Sequence, residues 1–187
     1  AFMERYPDIR VVLSLTDRYV DLVEENIDVA LRLASRIDTL SVVARPIAAI
    51  RYVLAAAPAY VAQHGTPEHI EDLQRHRCLT FGASGAPATW QFDSADGMES
   101  VKVNSALAAN SSVALHLAML RGGGIALLPT YVVGEDLRSG AAVQVLPALA
   151  PQGFSGDQLY AVYLENRFLP PKVRVFIDYL VDAFSQQ

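Results

Sequence analysis

Residues 110–129 constrain this chain more than any other stretch. They read Asn110-Ser111-Ser112, an apolar helix-forming segment to Arg121, the triplet Gly122-Gly123-Gly124, then Ile125-Ala126-Leu127-Leu128-Pro129. A helix entered through amide and hydroxyl side chains presents backbone N–H groups and the positive end of its dipole, which suits a small anion. The glycines let the chain reverse sharply into a short buried strand. With 107–110 read as a strand before it, the segment is a strand–helix–strand unit, which implies a parallel sheet.

The same grammar extends along the chain. Residues 9–15 are an almost unbroken apolar run between Pro7-Asp8 and Thr16-Asp17, which predicts a strand covered on both faces. Asp17 is placed to cap a helix whose apolar face is Val20, Val23 and Ile27, and 28–33 is again strand-like, giving another such unit. Residues 42–57 read as two extended segments around Pro46. Pro58 opens a helix that stops near Gly65, and Thr66-Pro67-Glu68 starts a shorter one through Arg75. A short strand at 78–81 precedes a Gly-, Ala-, Ser- and Pro-rich stretch, 82–88, that marks a boundary. Residues 90–92 and 98–103 are arms of a hairpin around Asp96-Gly97. Thr130 caps a helix to about Ser139, with Gly140 as its stop. Strands at 143–146 and 159–164 flank a loop at 147–156. The last helix, opened by Pro170-Pro171, carries the stripe Val173, Phe176, Ile177, Leu180, Val181 and Phe184.

Composition narrows the function classes. The 187 residues are 52% hydrophobic and 19% charged, enough for one domain or two small lobes with real cores. A net charge of −5 with no Lys/Arg cluster makes the chain a poor nucleic-acid binder on its own. The apolar runs are too short to span a bilayer and no signal peptide opens the sequence, so no membrane partner is expected. Cys78 is the only cysteine, which excludes an internal disulfide and reads as a small buried hydrophobe, compatible with a cytoplasmic protein.

Catalytic signatures are missing. Gly82-Ala83-Ser84-Gly85 and Gly153-Phe154-Ser155-Gly156 lack the spacing of a nucleophile elbow and read as turns. The glycine triplet fails the dinucleotide fingerprint at its third glycine, and it follows a helix instead of opening one. His64, His69, His76 and His116 show no metal-ligand spacing. The chain reads as a non-enzyme, and neither cofactor nor metal is expected.

Binding residues are expected at strand ends, because ligands of open α/β sheets sit just beyond the carboxyl ends of the strands. Thr16 and Asp17 follow the first apolar run, where helix capping and facing a cleft are both open to them. Arg32 can clamp a carboxylate with two hydrogen bonds, or pair with Asp28 or Asp38 at the sheet rim. Asn110 and Ser111 serve as an N-cap or as ligand contacts. Thr130 and Tyr131 stand at another strand end, where the Tyr131 ring either meets a ligand or packs on its helix.

These features together resemble the effector-binding domain of LysR-type transcriptional regulators. The matching stretches are Tyr6-Pro7-Asp8, Leu22-Val23-Glu24, Asp28-Val29-Ala30-Leu31-Arg32, residues 53–60, His64-Gly65-Thr66-Pro67, residues 122–129, Leu137-Arg138-Ser139-Gly140 and the end helix at 172–184. The resemblance implies an α/β fold of two Rossmann-like lobes, periplasmic-binding-protein-like, joined by crossing strands at 79–81 and 160–163. Lobe I would be 1–78 with 164–187, and lobe II 79–163. It implies a small effector bound between the lobes, lined by Thr16, Asp17, Arg32, Phe81, Asn110, Ser111, Thr130, Tyr131 and Tyr163, and assembly into homodimers or homotetramers. Family members carry an amino-terminal winged helix-turn-helix domain that contacts DNA. It is not in this sequence, nor is the domain's expected first strand. A solute-binding protein of a transport system, monomeric where the regulator domain dimerises, is the alternative reading.

Overall fold

The computed structural model describes residues 1–16, 20–37, 42–82, 87–94, 97–154, 156–165 and 169–185. In chain order its elements begin with α1 (Phe2–Arg5), β1 (Ala30–Ala34), β2 (Val42–Ala49), β3 (Tyr52–Ala56) and α2 (Pro58–His64). A 3-10 helix (Ile70–Arg75), β4 (Cys78–Phe81), β5 (Ala88–Ser94), β6 (Gly97–Val103) and β7 (Ser105–Ala109) follow. The remainder is α3 (Ser112–Leu120), β8 (Ile125–Pro129), α4 (Thr130–Ser139), β9 (Val143–Val145), β10 (Ala150–Pro151), β11 (Gln158–Leu164) and α5 (Pro171–Ser185). These group into two units, Ala1–Ala49 with Ser155–Gln187, and Ile50–Phe154.

The first unit holds a three-stranded sheet, β1-β11-β2, with β11 antiparallel to both neighbours. A parallel strand–helix–strand unit was expected here, and it does not form. Residues 9–15 make no strand, because a strand needs a ladder partner and none of the described residues supplies one. Val12, Leu13 and Leu15 are exposed in consequence. The predicted helix around Val20 and Val23 is a turn. The Asp21 carboxylate accepts from the N–H groups of Val23 (2.8 Å) and Glu24 (3.0 Å), and Asn26, at φ +52°, ends it. Pro46 does not divide β2. It lies on an edge strand opposite Tyr160, where the ladder shifts register, so its missing N–H costs no regular bond. The stripe on α5 buries Val173 and Ile177 against this sheet, and the helix is tied to it by Arg45–Asp178 at 2.8 Å.

The second unit is built on a five-stranded sheet, β7-β4-β8-β3-β9. β4 runs parallel to β7 and β8, and β3 is antiparallel to β8 and β9. The expected β7–α3–β8 crossover is present, with α3 passing over β4. Leu115 and Met119 of α3 are fully buried with Leu79, Ala126, Leu128 and Val133. Gly122 turns the chain at φ +75°. Gly124 has a different reason: a Cβ there would fall on the backbone carbonyl of Arg77, the group that accepts from the Ile125 N–H at 2.8 Å. β5 and β6 pair as the predicted hairpin, with β10 added alongside β5.

The boundaries differ from those expected. Residues 50–78 were assigned to the first lobe, but β3 pairs with β8 and β9 and completes the second sheet. β11, expected as a crossing strand containing Tyr163, is wholly paired within the first unit. The chain passes between units at Ala49/Ile50 and Phe154/Ser155 instead.

Candidate ligand-binding site

Three parallel strands of the second unit end side by side, and each end carries candidate residues. β4 ends at Phe81, β7 leads into Asn110 and Ser111, and β8 leads into Thr130 and Tyr131. Asn110 and Ser111 are exposed. The Ser111 hydroxyl accepts from the Ala114 N–H at 3.3 Å, the N-cap bond its residue type favours. α4 starts directly after Pro129 without a side-chain cap, and the Thr130 N–H donates to the Arg51 carbonyl at 2.8 Å. Two helix N-termini therefore stand at the same end of one sheet, on either side of β4.

Tyr131 is 45% exposed. Burial of the rest pushes its phenol above the ordinary tyrosine value, against a hydrogen bond with the Ser112 side chain that lowers it. That bond links the first turn of α4 to the first turn of α3. Phe81 is half-buried, and its ring stacks on Phe154 with centroids 3.9 Å apart and planes 6° from parallel. Tyr52, opposite Pro129 on β3, meets Phe154 edge-on at 5.2 Å. Sequence reasoning did not include Phe154 or Tyr52. The only available signal for Phe154 was a large aromatic inside a Gly/Ser turn.

The first-unit candidates are arranged differently. Asp17 lies outside the described residues, and Thr16 is exposed beyond any strand. Arg32 on β1 donates to the Val20 carbonyl at 2.9 Å and sits opposite Tyr160. Tyr163 is three residues further along β11, so it points to the other face of the sheet from Arg32. It lines a recess of about 230 Å³ with Leu22, Asn26, Leu164 and Val173. A larger recess in the second unit, about 500 Å³, is lined by Thr66, His69, Glu99, Gln144 and Leu149 and includes no candidate residue. Ligands of open α/β sheets sit just beyond the carboxyl ends of the strands, which makes those ends the better candidate than this open hollow. Among the described residues no cluster of three or more His, Cys, Asp or Glu side chains could hold a metal ion. No helix among them is long and apolar enough to cross a membrane.

The LysR substrate binding domain family matches residues 1–185. The chain is 37% identical over 186 residues to the probable HTH-type transcriptional regulator LtrA of Klebsiella pneumoniae, covering 98% of this chain and 59% of that protein. HTH-type transcriptional regulator CrgA of Neisseria meningitidis serogroup C is 36% identical over 187 residues, covering 98% of this chain and 60% of that one. The solved regulatory domain of CrgA, a LysR-type transcriptional regulator from Neisseria meningitidis, aligns with a TM-score of 0.84 at 33% identity, over 98% of this chain and 88% of that chain.

The chain belongs to the LysR substrate binding domain family, the effector-binding part of LysR-type transcriptional regulators. Its fold is the mixed α/β, periplasmic-binding-protein-like fold of their regulatory domains. It spans 59% and 60% of the length of these two HTH-type transcriptional regulators.

Proposed function

We propose that this chain is the sensory part of a longer DNA-binding regulator and binds a small anionic metabolite at the strand ends of its second unit. The observation that carries the reading is the convergence of the α3 and α4 N-termini beside Phe81, with Asn110, Ser111, Thr130 and Tyr131 as polar contacts. Backbone N–H groups there favour a carboxylate, and the hydroxyl and amide side chains orient it. The chain carries out no chemistry on the ligand. Binding shifts the population of the regulator's states, and the change is read at DNA by the longer protein. The regulator acts in the cytoplasm as a homodimer or homotetramer, in line with the family.

Calorimetric titration of this chain with small carboxylates tests the reading. Asn110→Ala combined with Ser111→Ala is expected to weaken carboxylate binding at least about tenfold while the circular dichroism spectrum is unchanged. The lost cap alone costs about 1 kcal/mol of helix stability, so melting is monitored in parallel. Unchanged affinity in the double variant would remove these residues from the site.

A further inference from the structure

The aromatic stack at the ends of β3 and β4 borders the core, where Phe81 packs against the cluster of Leu79, Leu115 and Met119, without being enclosed by it. Phe92 and Tyr60, the aromatic anchors of the second unit's interior, are 0% and 2% exposed. Phe81 and Phe154 are only half-buried, although their rings lie face to face at 3.9 Å. Phe154 comes from the loop between β10 and β11, and Tyr52 braces it edge-on at 77°. Tyr52 is itself buried opposite Pro129, the residue that leads into α4. The stack is therefore fixed from behind by the sheet and stands at the same end as Asn110, Ser111, Thr130 and Tyr131.

We propose that Phe154 is a specificity-determining residue of this site. Its ring lies face to face on Phe81, so the pair offers a flat apolar surface at its outer face, and the preferred effector carries a planar, aromatic or conjugated group next to its carboxylate. The inference rests on the functional reading above and adds the ligand's chemical class to it. A planar group adds to an aromatic stack at close-packed distance, whereas a puckered saturated ring of the same carbon count cannot lie flat on it. The carboxylate is held independently at the helix N-termini, so the surface acts on the choice between acids and not on the attraction for charge.

The test uses two probes of equal charge and carbon count, benzoate and cyclohexanecarboxylate, titrated into this chain with malate as a non-cyclic control. Benzoate is expected to bind about three- to tenfold more tightly than cyclohexanecarboxylate. Phe154→Leu should bring that ratio close to one, and Phe154→Tyr should retain the preference. A purely structural role would lower both affinities together and leave the ratio intact, which overturns the proposal. Tight malate binding with no response to either ring acid also overturns it, yet leaves the carboxylate-sensor reading standing. No binding of any of the three acids would count against both.

Discussion

Alanine placed singly at each position of the glycine triplet should produce a graded loss of stability set by two different causes. At Gly122 a Cβ meets open space, and only the backbone angle, φ +75°, opposes it. That left-handed conformation costs a non-glycine residue about 1 kcal/mol. At Gly124 the angle is φ +152° and the Cβ would land on the Arg77 carbonyl, which holds β8 to β4. Backbone strain and forced separation of two central strands each contribute about 1–3 kcal/mol, for a total of about 4 kcal/mol. Gly123 falls between, since its Cβ would stand 2.8 Å from the Ala118 carbonyl. For a chain of this size each kcal/mol moves the melting temperature by about 2–4 °C. Gly122→Ala should therefore melt about 2–4 °C below the parent and Gly124→Ala about 8–16 °C below, by differential scanning calorimetry. A Gly124→Ala variant that melts within the Gly122→Ala range would refute the close-approach argument.

Burial pushes the Cys78 thiol up to about 12, from an ordinary 9.0. With so little thiolate available, alkylation of the folded chain near neutral pH should run about a thousandfold slower than in denaturant, as followed by mass spectrometry. Equal rates would mean that Cys78 is reached without unfolding. The His76 imidazole is held below its ordinary 6.5 by burial and by His64, against the raising effect of Asp72. The fold favours its neutral form, so this contribution to stability is fully present above about pH 6.5 and is lost as pH falls through the lower, folded value. Melting temperatures of the parent should fall more steeply on acidification than those of His76→Gln; parallel curves would assign the acid sensitivity elsewhere.

Local pattern and turn chemistry made the second unit readable. The α3 segment has a hydroxyl cap, buried residues at helical spacing and a glycine stop, and all of these describe contacts close in sequence. The carboxyl ends of β7 and β8 follow from the same pattern, so Asn110, Ser111, Thr130 and Tyr131 could be named in advance as strand-end residues, whereas Phe81 entered only through the family resemblance. The first unit was less legible because its pairing is long-range. The run at 9–15 has the composition of a strand, but composition does not supply a partner. Likewise β3 carries the signature of any buried strand, and only its ladder to β8 shows which sheet it completes. Phe154 was hidden for the opposite reason, since a turn sequence describes where the chain bends and says nothing of what a ring within it will meet.

The nested order of the two sheets has a consequence for synthesis on the ribosome. The central strand of the first sheet, β11, is made after every strand of the second. β1 and β2 therefore emerge without the strand that joins them, while the second unit is completed at Phe154. Within that unit β3 waits for β8 and β9, a delay of about 5–20 s at ordinary elongation rates. During that interval its apolar run Tyr52-Val53-Leu54-Ala55-Ala56 is available to chaperones or to other nascent chains. The inserted half thus matures first, and the half that begins the chain is the last to close.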